Sequence, residues 1–310
     1  MLWGWPSMLG KRRKSSDMTE AEMLKAPERY APAPSRFECV TRGGWASLGA
    51  SVIGPSHESD SLVRQDEFAH NIVGDLYVAA IADGMGSAAF AQVGAATCCR
   101  HVVARIKEAL GLASSARAID PAASVRMDKD AEPIPWARVI AQAILEVRAK
   151  LQPTHGKING VTRPLFDTTL VGVVASPESG FFFHVGDGCG VAVAAPEPGT
   201  FGDIVISPPE NGEFSNVTFP ITMDGFEKHL RITPFSRANL IFLMTDGVTP
   251  FSLESDERTL RPRFLQPIDA HLAGVRSAKG AEKLRDTLNS ADLRQSEGDD
   301  KTLVWARRRP

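Results

Sequence analysis

A chain of 310 residues with 43% apolar side chains can bury a sizeable core, which excludes a disordered or fibrous protein. The 35 basic and 37 acidic side chains nearly cancel, so the formal charge of −2 gives no general attraction to nucleic acid or to an anionic membrane. The four cysteines include no C-x-x-C pair, and we therefore expect reduced thiols in place of a zinc cage or a disulfide framework.

The first 35 residues differ in composition from the rest of the chain. Trp, Pro and Ser mix with a basic cluster at 11–14, and an Ala-Pro-Ala-Pro stretch ends the segment at 31–34. We expect a leader at 1–35 and a single folded domain at 36–310. The apolar start precedes the basic cluster, the reverse of a secretory signal, and no apolar run is long enough to span a membrane. A cytoplasmic protein with no membrane partner is the resulting expectation.

From residue 36 onwards, short apolar runs broken by glycine predict the first strands of a sheet, as at 45–54. A polar loop then leads to a central strand at 76–82. Helical spacing at 88–110 predicts a long helix against the sheet, and a connection rich in Ala, Ser, Asp and Pro follows at 111–134. A second helix is expected at 136–151, where apolar residues form a stripe.

The second half of the chain returns to strand patterns. Residues 168–194 predict a β-meander, and the Pro- and Gly-rich residues 196–236, called the flap below, are long enough to cover a site. A strand from 239, a helix near 280–293 and a last strand at 303–306 complete the pattern. This order of elements predicts an α+β fold with antiparallel sheets covered by helices.

Three apolar runs each have an aspartate at or near one end. Asp83 ends the central strand, Asp246 ends the strand from 239, and Asp299 shortly precedes the last strand. Gly84 lets the backbone turn and exposes its carbonyl oxygen, so this segment offers a hard cation both a side-chain and a main-chain oxygen. Carboxylates without nearby His or Cys suit Mg²⁺ or Mn²⁺ better than Zn²⁺, and several carboxylates in one place repel unless cations neutralise them.

Six short motifs resemble, in order and spacing, the metal-dependent protein phosphatases of the PP2C type, and a bacterial form most of all. They are Arg64-Gln65-Asp66, Asp83-Gly84-Met85-Gly86, Thr168-Thr169-Leu170, Gly186-Asp187-Gly188, Thr245-Asp246-Gly247 and Asp299-Asp300-Lys301-Thr302. The resemblance covers about residues 40–306. It implies a β-sandwich of two antiparallel sheets flanked by pairs of helices, with a two-metal site at one end.

The resemblance also implies roles for single residues. Asp83 would bridge two metals, the Gly84 carbonyl would bind one of them, and Asp246 and Asp299 would hold the other. Asp66 matches an acid that binds metal directly or through water. The implied activity is hydrolysis of phosphoserine and phosphothreonine in proteins by a hydroxide that bridges two Mn²⁺ or Mg²⁺ ions. A phosphorylated protein substrate and, by family analogy, a cognate Ser/Thr kinase are the implied partners.

The chain departs from the family pattern in several places. Gln65 stands where many relatives carry glutamate, and Met85 replaces a histidine that is a candidate general acid in animal members. Asp167 occupies a position that is usually glycine, and it is either a ligand of a third metal or a solvated strand-end aspartate. Arg64 and His57 are the candidate phosphate contacts.

Asp187, between two glycines, is expected to be a structural turn residue.

Two alternatives to a phosphatase remain open from the sequence. The departures at Gln65 and Met85 allow a second hypothesis, in which the same fold serves as a catalytically weak phosphoprotein sensor or scaffold. A phosphodiesterase acting on nucleotides or nucleic acid is disfavoured by the near-neutral charge and the lack of a basic aromatic surface.

Overall fold

The computed structural model describes residues 32–112, 135–158, 160–210 and 218–309. Most of the expected leader and most of the connection at 111–134 lie outside the described residues. Within the described ranges, no helix combines the length and apolar character that a membrane span requires.

Thirteen strands are formed by the described residues: β1 Ser35–Arg42, β2 Trp45–Val52, β3 Glu67–Val73, β4 Leu76–Ala82, β5 His155–Ile158, β6 Val161–Pro164, β7 Leu170–Ala175, β8 Ser179–Val185, β9 Cys189–Val193, β10 Ile204–Ser207, β11 Arg231–Ser236, β12 Leu240–Met244 and β13 Lys301–Arg308. The helices in the same part of the chain are α1 Pro55–Ser59, α2 Ala91–Leu112, α3 Trp136–Lys150, α4 Thr249–Ser252, α5 Pro262–Gly274, α6 Ala278–Leu288 and α7 Ala291–Ser296.

Two antiparallel sheets make up the centre of the molecule. One sheet has six strands in the order β1-β2-β13-β12-β9-β10, and the other has five in the order β11-β8-β7-β4-β3. A separate two-stranded sheet joins β5 to β6. Helices α2 and α3 pack on the five-stranded sheet, and α5 and α6 pack on the six-stranded sheet. The predicted fold class, a sandwich flanked by pairs of helices, is therefore confirmed.

Central strands are buried on both faces. In β4, Tyr77 and Ile81 pack between the two sheets, whereas Val78 and Ala80 pack under the helices. Successive side chains of a strand point to opposite faces, so a strand in a middle layer must be apolar on both. This is why the central strand appears in the sequence as a continuous apolar run.

Strand pairing corrects the predicted meander at 168–194. β7 pairs with β8, as expected, but β9 pairs with β12 of the opposite sheet. The turn between β8 and β9 therefore crosses from one sheet to the other at the end of the sandwich. This crossing has a direct consequence for Asp187, which lies in the turn.

The helix predicted near 280–293 is two helices, α6 and α7. Asn289 and Ser290 separate them, and Ser290 has the extended backbone (φ −66°, ψ 152°) that is typical of a residue preceding a helix. Helix α5 was not predicted, because Pro267 lies inside it and proline usually ends a helical pattern.

Candidate metal centre

The register of the strands gathers the acidic residues at one end of the sandwich. Met244 of β12 pairs with Leu303 of β13, so the end of one strand lies beside the beginning of the other. In the second sheet, Glu67 of β3 pairs with Ala82 of β4 in the same way. Asp246 and Asp299 are therefore brought to the same edge, as are Asp66 and Asp83.

Three carboxylates converge at this end of the sandwich. One oxygen each from Asp83, Asp187 and Asp246 lies within 4.8 Å of the other two. We call these residues the three-acid cluster. In a second group, formed by His57, Asp299 and Asp300, one nitrogen or oxygen atom from each residue lies within 4.8 Å of the other two.

The backbone around Asp83 is fixed by the Thr168-Thr169 pair. The Asp83 carbonyl accepts hydrogen bonds from Thr168 Oγ1 at 2.7 Å and from the Thr169 N–H at 2.8 Å. The Asp83 N–H donates to Thr169 Oγ1 at 3.0 Å. Gly84 follows against helix α2, where a Cβ atom would lie 2.8 Å from the Ala91 carbonyl oxygen. Only glycine allows this approach of helix and turn.

Asp66 is the most deeply buried acid of the predicted set, with 2% of its surface exposed. Its Oδ2 accepts a hydrogen bond from Thr245 Oγ1 at 2.7 Å, whereas Oδ1 has no partner among the described residues. Burial, followed by repulsion from Asp300 and Asp299, raises the pKa of Asp66 to about 7. A buried carboxylate oxygen without a hydrogen-bond donor fits a cation that would compensate it.

Burial and mutual repulsion also raise the pKa of the three-acid cluster. The pKa of Asp83 lies well above its usual value because of burial and then because of Asp246 and Asp66. The pKa of Asp246 is raised well above its usual value by burial and then by Asp187 and Asp299. Burial also raises the pKa of Asp187. These carboxylates are ionised together only if positive charge lies between them, so the oxygen-only donor set fits Mg²⁺ or Mn²⁺.

Asp299 and Asp300 are neighbours in sequence with different surroundings. The side chain of Asp299 is 41% exposed and faces the acids. Asp300 is buried, and both of its oxygens are engaged by protein donors. These donors are the N–H groups of Gly54 (2.7 Å), Gln65 (2.5 Å) and Asp66 (3.4 Å), and the His57 ring. Asp300 therefore joins two loops to the start of β13.

His57 lies at the edge of the acidic site. Its Nδ1 is 2.9 Å from Oδ1 of Asp300, and its Nε2 is 3.8 Å from Oδ1 of Asp299. The hydrogen bond with Asp300 raises the pKa of His57. The ring is held in place beside the acids, and the phosphate contact expected for it stays a prediction.

Arg64, the second predicted phosphate contact, is 1% exposed. Its guanidinium donates to the Ala33 carbonyl at 3.1 Å, to Ser51 Oγ at 2.8 Å and to the Asp66 carbonyl. These bonds fix the backbone at Asp66, which directly precedes β3. The geometry gives Arg64 a positioning role, and contact with phosphate remains untested.

Asp167 accepts a hydrogen bond from Thr222 Oγ1 at 2.5 Å, and its carbonyl accepts one from the Met85 N–H at 3.0 Å. Its carboxylate is not part of the three-acid cluster. A third metal at Asp167 stays a prediction. The side-chain oxygen Oε1 of Gln65 is buried without a partner among the described residues.

Asp187 lies in the turn between β8 and β9, as expected, and its carboxylate also joins the acidic site. Because β8 and β9 belong to different sheets, their connecting turn crosses the end of the sandwich and brings Asp187 to Asp83 and Asp246. Gly186 allows the turn with a positive φ of 108°. The apolar run of β8 ends shortly before Asp187, but only the pairing of β9 with β12 brings this acid to the others.

Comparison with known protein families assigns the chain to one of them. The chain belongs to the protein phosphatase 2C family, whose model matches residues 53–289. The resemblance derived from the six motifs is thereby confirmed. No curated protein matches the sequence.

Solved structures with the same fold are distant in sequence. The chain is similar to serine-threonine phosphatase 2C from Toxoplasma gondii, with 10% identity and a TM-score of 0.55 over 90% of this chain and 100% of that one. It is also similar to RsbX, crystallised in complex with magnesium, with 12% identity and a TM-score of 0.50 over 88% and 100%. At such identities the likeness establishes the fold alone.

Proposed function

We propose that the protein is a phosphatase that hydrolyses phosphoserine and phosphothreonine in proteins and that it requires Mg²⁺ or Mn²⁺. The single observation that carries the proposal is the convergence of Asp83, Asp187 and Asp246 from three separate strand ends, within 4.8 Å of one another. Membership of the protein phosphatase 2C family supplies the reaction class.

The residues that would hold divalent cations are the three-acid cluster together with Asp66, Asp299 and the Gly84 carbonyl. When bound, such cations supply a water of lowered pKa and positive charge that offsets the phosphoryl oxygens. The protein contributes the orientation of the ligands. Thr168 and Thr169 fix the turn at Asp83, as described above.

His57 would contact the phosphoryl group of the substrate. Its Nδ1 is held by Asp300 at 2.9 Å, and the raised pKa of the ring favours a proton on Nε2, from which it can donate to phosphate. Arg64 would act indirectly, by holding the backbone of Asp66 through its buried guanidinium. A phosphorylated protein substrate, a cognate Ser/Thr kinase and a cytoplasmic location belong to this proposal.

The test is hydrolysis of a phosphothreonine peptide by the purified chain with and without Mn²⁺. We expect turnover that requires the cation and that falls by at least about 100-fold in Asp246→Asn, because a ligand charge is lost. Asp286→Asn is a matched control, since Asp286 is exposed on α6 and pairs with Arg285. No turnover by folded, cation-loaded protein would refute the proposal.

The same assay addresses the sensor or scaffold alternative. That alternative predicts binding of the phosphopeptide without turnover in the presence of Mn²⁺. Gln65 and Met85 motivate this alternative, and Gln65→Glu would then restore turnover by returning a negative charge beside Asp66. The convergence of Asp83, Asp187 and Asp246 favours the enzyme.

A further inference from the structure

Two carboxylates at the site have the same hydrogen-bond pattern, in which one oxygen accepts a threonine hydroxyl and the other has no partner among the described residues. Thr245 Oγ1 donates to Oδ2 of Asp66 at 2.7 Å, and Thr218 Oγ1 donates to Oδ2 of Asp187 at 2.5 Å. In both aspartates Oδ1 is buried without a hydrogen-bond partner among the described residues. A threonine hydroxyl therefore fixes one oxygen of each carboxylate and leaves the other for a cation.

Thr218 belongs to the flap, which forms further hydrogen bonds with the turn that carries Asp187. The Glu210 N–H donates to the Gly186 carbonyl at 2.9 Å, and Arg231 Nη2 donates to the same carbonyl at 3.3 Å. The flap thus contacts the turn through its backbone and through the Asp187 carboxylate itself. A change in the position of this part of the flap would turn that carboxylate.

We propose that Thr218 is a positioning residue of the metal centre. Its hydroxyl orients Asp187 so that the free oxygen faces Asp83 and Asp246, and it couples the placement of the flap to cation affinity. A hydroxyl donating to a carboxylate forms a strong, directional bond, and partners of this kind hold metal ligands in their binding orientation. The inference rests on the proposed function, since it requires a divalent cation at the three-acid cluster.

The test is Mn²⁺ binding to the full chain by isothermal titration calorimetry. Thr218→Val removes the hydroxyl at nearly constant volume, and we expect the Kd for Mn²⁺ to rise by about 10- to 100-fold. Thr218→Ser keeps the hydroxyl and should restore the wild-type affinity. Thr200→Val is a matched control in the flap, because Thr200 Oγ1 donates to the Glu197 carbonyl in an exposed turn. Thr218→Ala is a second deletion of the hydroxyl in case valine disturbs folding.

A double-mutant cycle with Asp187→Asn tests the route of the effect. If Thr218 acts through Asp187, Thr218→Val causes no further loss of affinity once Asp187 is asparagine. Unchanged affinity in Thr218→Val, an equal loss in Thr218→Ser, or additive losses in the cycle would each overturn the inference. Wild-type protein that binds no Mn²⁺ would refute the proposed function itself, so the two failures are distinguishable.

Discussion

Adjacent residues at the start of β13 illustrate how surroundings assign a role to an acid. Asp299 is partly exposed and faces the other carboxylates, whereas Asp300 is enclosed by four donors from two loops. The same functional group is thus a candidate cation ligand at one position and a structural acceptor at the next. Asp300 stabilises the site without an oxygen left for a metal.

This contrast predicts opposite effects of two substitutions. Asp300→Ala leaves buried N–H groups unpaired, and we expect it to lower the free energy of unfolding by more than about 2 kcal/mol. Asp299→Ala removes a partly exposed group, so we expect little loss of stability in the absence of metal and weaker Mn²⁺ binding. Urea denaturation in EDTA measures the first effect, and calorimetric titration measures the second. Equal destabilisation by both changes would contradict these assignments.

At the scale of elements, the end of β12 and the start of β13 approach too closely for any side chain between them. A Cβ on Gly247 would lie 1.9 Å from the Asp300 carbonyl oxygen, which is far below a van der Waals contact. The Asp246 carboxylate accepts the Gly247 N–H at 2.8 Å, so the turn fixes the ligand as well as the backbone. The spacing of the two strand ends therefore depends on a glycine.

We predict that Gly247→Ala separates these strand ends and reduces turnover by at least about 10-fold, since misplaced catalytic groups lose rate steeply. The change also costs stability, because backbone must shift. Gly111→Ala is the matched control: nothing lies within 4 Å of a Cβ there, and alanine in a helix gains about 0.5–1 kcal/mol over glycine. Activity in Gly247→Ala equal to that of Gly111→Ala would show that the approach is not required.

At the scale of the whole molecule, the two sheets are joined by a polar contact as well as by the apolar core. Ser47 of β2 lies 2.7 Å from His70 Nδ1 of β3 and 2.9 Å from the Tyr77 hydroxyl of β4. Burial, and then Arg36, lowers the pKa of His70 to about 3. Glu38 is the acid that faces the ring, at 3.8 Å. His70 is therefore neutral in the folded protein at physiological pH.

The pH dependence of stability follows from this depressed pKa. Below its ordinary pKa of about 6.5, the histidine binds a proton in the unfolded chain but not in the folded one, so stability is lost as pH falls towards 3. For this residue the loss is about 2 kcal/mol at pH 5. We predict that His70→Gln reduces the difference in unfolding free energy between pH 7.5 and pH 5 by that amount, measured with urea. An unchanged difference would contradict the assignment.

Much of the fold and part of the site could be predicted from local pattern. The apolar runs leading to Asp83 and Asp246 identify strand ends, and family motifs order them. Asp187 could not be assigned, because its position depends on β9 pairing with β12, a contact between distant parts of the chain that leaves no local signal. The exposure difference between Asp299 and Asp300 likewise depends on donors from distant loops, Gly54 and Gln65.

Anomalous difference density from a crystal soaked in Mn²⁺ would show whether divalent cations lie among these carboxylates. We expect two peaks at the three-acid cluster, roughly 3.5–4 Å apart, with carboxylate oxygens of Asp83 at coordination distance from both. Density that leaves the cluster empty, with Asp83, Asp187 and Asp246 turned apart into solvent, would contradict it.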